Sequence, residues 1–230
     1  MDIDYFKEYF KKRFGFALED QPLPLQDILH NMNLLNEGAL TVTGTLLFAK
    51  TPQFKLPVFM VKAGAFDAYD LGVNNYNDSR DISGKLADVF YKTVSFILSN
   101  LRHIQGKQGV NSVGTPEIPA ESIEEITANA LIHRDYFVSA PVRVFVFRDR
   151  VEIISPGCLP NNLTVENIKL GNSNARNPLL ASYANHLLPY RGYGSGIIRA
   201  LKYYPDIEFI DDKDGNLFKA IFKRRGPHSI

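Results

Sequence analysis

The chain reads as an α/β sandwich: a mixed α+β fold with one sheet covered mainly on one face. Three observations predict it. Short β-branched and aromatic runs interleave with amphipathic helical stretches, which argues against an all-α or all-β layer. The C-terminal third closes on two apolar runs, Ile207–Ile210 and Leu217–Phe222, either side of an Asp214-Gly215-Asn216 turn, the signature of a hairpin. The bulk composition, 45% hydrophobic and 22% charged over 230 residues, is that of an ordinary globular protein with a real core.

Taken in order, residues 5–16 predict a short amphipathic helix, since Tyr5, Phe6, Tyr9, Phe10 and Phe14 recur at three- and four-residue steps. Pro22 and Pro24 end it, and a second helix is expected around Leu25–Leu35. Leu40–Lys50 has an apolar face and reads as helix, with Thr41, Val42 and Thr43 keeping a strand reading open. Pro57–Phe66 alternates and predicts a strand; Asp70–Asp81 is polar and predicts a loop. Ile82–Leu101 is the clearest long helix, with Leu86, Val89, Phe90, Val94, Ile97 and Leu98 as its apolar stripe. Gly106–Pro119 is rich in Gly and Pro and is the best boundary. It divides the chain into residues 1–110, a smaller α+β region, and 111–230, the sandwich proper. Beyond it the order is a helix at Ala120–Arg134, strands at Val142–Phe147 and Val151–Ile154, and a loop at Ser155–Asn162. Short helices at Val165–Lys169, Pro178–Leu187 and Gly196–Tyr203 precede the closing hairpin.

Composition also excludes several function classes. One cysteine, Cys158, rules out an internal disulfide and any cysteine-cluster zinc site, and no pattern ties its thiol to a base. No apolar run approaches the roughly 20 residues of a membrane span, and the start lacks the features of a signal peptide, so a cytoplasmic location without a membrane partner is expected. Net charge is +1, with 12 basic and 12 acidic residues in 1–110 and 14 and 13 in 111–230, so neither half has the strong bias of a dedicated nucleic-acid surface. Lys11-Lys12-Arg13 and Lys223-Arg224-Arg225 are local clusters of the kind that normally face solvent.

The chemistry concentrates after the boundary. On the Ala120–Arg134 helix, Glu125, Asn129 and His133 form a polar stripe about 80° wide at 100° per residue. That stripe borders the apolar positions Ile123, Ile126 and Ala130 instead of lying opposite them. Half-buried polar groups need partners, which a ligand, a metal or an internal hydrogen-bond network could supply. Two glycine-bearing loops follow: Ser155-Pro-Gly157-Cys-Leu-Pro160 after a strand, and Arg191-Gly192-Tyr-Gly194-Ser-Gly196 before a helix. Glycines at a helix start let backbone N–H groups approach an anion. Neither a dinucleotide-binding turn nor a P-loop is present.

In order and spacing, Glu125-Ile-Thr-Ala-Asn129-Ala-Leu-Ile-His133-Arg-Asp-Tyr136, Val151-Glu-Ile-Ile-Ser-Pro-Gly-Cys-Leu-Pro160, Arg176-Asn-Pro178 and Gly192-Tyr-Gly-Ser-Gly-Ile197 with Arg199 resemble the blocks of a bacterial and archaeal family. Its members are described as transcriptional regulators, or as related to the C-terminal region of the ATP-dependent DNA helicase RecG. The C-terminal domain of that family is similar to the ATPase fold of gyrase B, Hsp90, sensor histidine kinases and MutL. The resemblance covers residues 118–223 well and extends more loosely to about residue 38. It implies that Asn129 holds Mg²⁺ against nucleotide phosphates and that Glu125 activates water. It places the adenine-binding loop at Ser155–Pro160, with Ser155 and Gly157, and the phosphate-side block at Gly192, Gly194 and Gly196. Arg176–Tyr190 stands as a lid, and His133 and Arg134 add positive charge or bulk on the phosphate side. Ser155-Pro156-Gly157 occupies the place of the superfamily's Asp-x-Gly, so a shorter, neutral hydroxyl stands where an adenine-binding carboxylate would be.

ATP and Mg²⁺ are therefore the implied cofactors, and DNA, a nucleotide and a second copy of the chain the implied partners. The Glu-Phe-Lys opening of the family's N-terminal AlbA-like DNA-binding domain is not found in residues 1–60, so a fragment or shortened member is expected. Residues 1–110 would then hold the tail of that domain plus connecting helices, with DNA contact made by sequence further upstream. Three functions stay open: a ligand-sensing or dimerising module of a DNA-binding regulator, an active Mg²⁺-dependent ATPase, and an interaction domain without ligand.

Overall fold

A computed structural model describes residues 1–72, 76–104, 114–190, 192 and 194–224. Helices α1 (Ile3–Phe14), α2 (Leu25–Asn31) and α3 (Val42–Phe48) open the chain, with a two-residue ladder, β1 (Leu35–Asn36) and β2 (Ala39–Leu40), between the last two. Strands β3 (Val61–Ala65) and β4 (Asp78–Ile82) precede the long helix α4 (Leu86–Ser99). A second small ladder, β5 (His103–Ile104) and β6 (Thr115–Pro116), leads to α5 (Ala120–Ile132). Then come β7 (Val142–Val146), β8 (Arg150–Pro156), α6 (Val165–Lys169), α7 (Pro178–Ala184), α8 (Gly196–Tyr203), β9 (Ile207–Asp212) and β10 (Leu217–Lys223).

The main sheet has six strands in the order β4-β3-β7-β8-β10-β9. The β3–β7 pair is parallel, and the other four neighbours are antiparallel. Register aligns one apolar row across it: Ala63 opposite Val144, Val144 opposite Ile153, Ile153 opposite Ala220, and Ala220 opposite Phe209. All five are buried; α4 packs on β3 and β4, α5 on β8 and α6 on β9, with α8 lying against α5 and α6. Along β3 and β7 the alternate positions Lys62 and Arg143 are exposed, as expected of a sheet packed on one side. The first two strands of this sheet come from before residue 110 and the last four from after it. The expected boundary at residue 110 lies outside the described residues.

Local chemistry explains the helix ends. The Asp2 carboxylate accepts from the Tyr5 N–H at 3.3 Å, and Gly15 ends α1 with φ 84°. Phe6, Tyr9 and Phe10 form the buried face of α1. Thr41 caps α3 through its hydroxyl, 3.1 Å from the Gly44 N–H, which decides the helix reading for this segment.

Four expectations need correction. Asp70–Asp81 is not all loop: Asp78–Ile82 is an edge strand that pairs with β3. Ile82 belongs to that strand, and the long helix begins at Leu86. Ser155 and Pro156 end β8 instead of opening a loop, because β10 pairs along its whole length, with Ser155 opposite Phe218 and Pro156 opposite Leu217. The helix from Pro178 stops at Ala184, three residues short of Leu187. No helix among the described residues is long and apolar enough to cross a membrane.

Candidate functional site

The site is built between the inner face of β8, the polar edge of α5 and the start of α8. Helices α5 and α8 pack side by side, tied by the Ser122 hydroxyl, which donates to the Ala200 carbonyl at 2.9 Å. This contact sets the α5 stripe against the glycine loop. A cavity of about 980 Å³, measured out to its mouth, opens there. Its walls include all eight residues expected from the sequence: Glu125, Asn129, His133, Ser155, Gly157, Gly192, Gly194 and Gly196. The remainder is largely apolar, with Ile126, Ala130 and Ile153 on one side and Leu159, Leu163 and Ile168 on another.

The polar end is dominated by a carboxylate–guanidinium pair. Glu125 is 8% exposed, and its Oε1 accepts a hydrogen bond from Arg199 Nη2. Arg199 also lines the cavity. One turn along α5, the Asn129 amide donates to the Glu125 backbone carbonyl at 2.6 Å, leaving its own carbonyl oxygen as an acceptor. Gly196 presses against both: a Cβ there would come within 2.7 Å of Glu125 Oε2 and 3.1 Å of Asn129 Nδ2. Gly194 is needed for another reason. Its φ is +72°, and a Cβ would lie 2.6 Å from the Gly171 carbonyl oxygen, so the loop leans on the α6–α7 connection.

His133 ends the stripe as the residue after α5. Its Nε2 lies 3.1 Å from the Tyr190 hydroxyl. Burial, with the positive charge of Arg176 adding to it, pushes the imidazole down to about 4, so it is neutral near pH 7. The positive charge expected of His133 is therefore absent. Arg134, unlike His133, does not reach the cavity. It is 1% exposed and turns away, donating to the carbonyls of Val58, Val138 and Ala140, where it joins the α5 end to the preceding half of the chain.

At the opposite end, Ser155 is buried at 5% exposure and donates from its hydroxyl to the Ala130 carbonyl at 2.8 Å. A hydroxyl so engaged still has lone pairs to accept with. The turn that follows is firmly held. The N–H groups of Gly157 and Leu159 donate to Asn216 O at 2.8 Å and Asp211 Oδ1 at 2.7 Å, and that of Cys158 to Asn216 Oδ1 at 3.2 Å. Arg176 bonds Asp135 Oδ2 at 3.1 Å and the Cys158 carbonyl. The expected lid, Arg176–Tyr190, is anchored. Tyr183 and Ala184 are buried, the Tyr183 hydroxyl donates to the Met32 carbonyl at 2.6 Å, and its ring sits 5.8 Å from that of Tyr9. The sequence left Asn172, Ser173 and Asn174 out of the site and placed Tyr190 only at the end of the lid, though all four line the cavity. Their run of small polar residues after a helix was the available signal.

Chemically, the arrangement offers a largely apolar slot with the Ser155 hydroxyl at one end and a carboxylate, an amide and a guanidinium at the other. Among the described residues no group of three His, Cys, Asp or Glu is placed to hold a metal ion. Mg²⁺ commonly takes only one or two protein oxygens and completes its shell with water and phosphate. The Asn129 carbonyl fits that use only alongside a phosphorylated ligand.

Comparison with known proteins agrees with this architecture. No curated protein sequence matches the chain. Among solved structures, the crystal structure of the DIP2311 protein from Corynebacterium diphtheriae superposes with a TM-score of 0.68 at 22% identity. The match covers 96% of this chain and 44% of that one, so this chain spans less than half the length of that protein. This superposition, the mixed six-stranded sheet and the family-model match to residues 139–215 together fit an α+β ATPase-like fold. Residues 139–215, which run from β7 through the glycine loop and α8 into the closing hairpin, match the family model described as "Putative ATP-dependent DNA helicase recG C-terminal".

Proposed function

We propose that the cavity binds a purine nucleotide and that the domain senses this ligand as part of a DNA-binding transcriptional regulator, without turning it over. The observation that supports the reading is the convergence of α5, the end of β8 and the glycine loop on one largely apolar cleft, with Ser155 at one end and Glu125, Asn129 and Arg199 at the other. A flat ring suits the slot between Ile126, Ala130 and Ile153, with Ser155 accepting from an exocyclic amine. A phosphate suits the end where Asn129, Arg199 and Gly196 meet. Mg²⁺, when bound with the nucleotide, would neutralise phosphate charge beside Asn129.

Sensing is favoured over hydrolysis because Glu125 is held by Arg199 and so is not disposed as a general base. Active hydrolysis is the second reading, supported by the spacing of Glu125 and Asn129 one turn apart on the same wall.

Isothermal titration with ATP and Mg²⁺, paired with a phosphate-release assay, separates the cases. Heat of binding with release no faster than the buffer background is the expected result. Rapid release would favour the ATPase. No heat at millimolar nucleotide would leave only the interaction scaffold. Asn129→Ala should weaken binding while the far-UV spectrum is kept; a fall in melting temperature with unchanged affinity would make Asn129 purely structural.

A further inference from the structure

Arg199 and Glu125 form an ion pair inside the wall of the cleft, 74 residues apart in sequence. The side chains are 25% and 10% exposed, so both have lost most of their water. A guanidinium offers five N–H donors in a planar fork suited to a carboxylate or a phosphate. Here Nη2 serves Glu125, while the buried Nε has no acceptor among the described residues. A cation only partly satisfied by one carboxylate, in the wall of a cleft, has donors to spare for a second anion or for a replacement of the first.

We infer that Glu125 is a built-in competitor for Arg199, and that an anionic ligand gains its place in the cleft by taking this guanidinium from the carboxylate. Arg199 is then the residue that sets specificity for a phosphorylated over an unphosphorylated ligand, and Glu125 the residue that weakens affinity until such a ligand arrives. The inference rests on the reading of the cavity as a nucleotide cleft. It assigns Glu125 a role other than activating water.

The arrangement also explains why Gly196 must stay small. A Cβ at that position would push on the Glu125 carboxylate, which the pair with Arg199 already pins.

The test is a double-mutant cycle read by equilibrium binding of two probes, ATP and adenosine, to the whole chain and to Glu125→Gln, Arg199→Met, and both together. Removing the competitor in Glu125→Gln should tighten ATP about tenfold and leave adenosine within twofold. Arg199→Met should abolish the preference for ATP over adenosine, and Arg199→Lys should restore part of it. In the Arg199→Met background, Glu125→Gln should bring no gain in ATP affinity. The double variant carries neither buried charge, so if Arg199→Met alone folds poorly, its ATP-over-adenosine preference set against that of Glu125→Gln still reads the loss of Arg199, and an unchanged preference would overturn the inference.

A gain of the same size in the Arg199→Met background would show simple charge repulsion and overturn the inference, as would equal changes for ATP and adenosine. ATP binding seen only in Glu125→Gln would support it. If no variant binds either probe, the nucleotide reading and this inference fall together.

Discussion

Replacing Gly194 by alanine tests whether the glycine loop is shaped by its contact with the α6–α7 connection. Two costs add. An L-residue held at φ +72° pays about 1–2 kcal/mol for left-handed backbone. The new Cβ would then sit 2.6 Å from the Gly171 carbonyl oxygen and 3.0 Å from Ser173 Cβ, and a backbone atom does not yield as a side chain does. Forcing extra volume into such a contact costs about 1–3 kcal/mol. The sum, about 2–5 kcal/mol, corresponds to a fall of roughly 4–20 °C in melting temperature for a chain of this size. Gly192→Ala is the internal control. Its φ is +69°, but its Cβ would meet side chains and not backbone, Asn185 at 3.2 Å and the Tyr190 ring at 3.6 Å. That change should cost about 1–2 kcal/mol. Thermal unfolding followed by circular dichroism compares the two. A Gly194→Ala variant that melts no lower than Gly192→Ala would refute the idea that this loop is braced by backbone contact.

Other expectations follow from the same structure. The Asn177 amide donates to the carbonyls of Ile132 and Arg134, both at 2.8 Å, and so caps α5 from a distant loop. Asn177→Ala should cost about 1–3 kcal/mol, measured by urea unfolding, while Asn185→Ala serves as a neighbouring reference. Arg134→Met keeps the bulk of the side chain but orphans the carbonyls of Val58, Val138 and Ala140; a loss of about 3 kcal/mol is expected, and less than 1 kcal/mol would contradict the staple. His133 titrates at 6.5 when unfolded and near 4 when folded, so the unfolded chain takes up the proton first. Its contribution is therefore complete above pH 6.5 and is lost as pH falls towards 4, by up to about 3 kcal/mol. Urea midpoints at several pH values should show this limb in the native chain and a shallower one in His133→Asn. Ser155→Ala removes one buried hydrogen bond to Ala130 and should cost about 1 kcal/mol.

The α5 stripe, the short helices α6 and α8 and the closing hairpin were legible because each depends on neighbours a few residues away. Helical period puts Glu125, Asn129 and His133 on one edge whatever the rest of the chain does. The edge strand Asp78–Ile82 was not legible: its residues are polar, and it exists because β3 offers a row of backbone partners. The same holds for the extra length of β8, which β10 draws out through Pro156. Which way the charged side chains turn was equally hidden. Arg134 follows His133 in sequence, yet one is a buried staple directed at Val58 and the other a neutral wall of the cleft.

Local periodicity, glycine placement and motif order thus determined the class of fold and the set of residues that gather at the cleft. Pairings across dozens of residues decided what those residues are free to do. Glu125 meets Arg199, Ser155 meets Ala130, and the 157–159 turn is held by Asp211 and Asn216. The reason is physical: a side chain's period is set by its own backbone, whereas its charge state and hydrogen-bond partners are set by whatever the folded chain brings within about 3 Å.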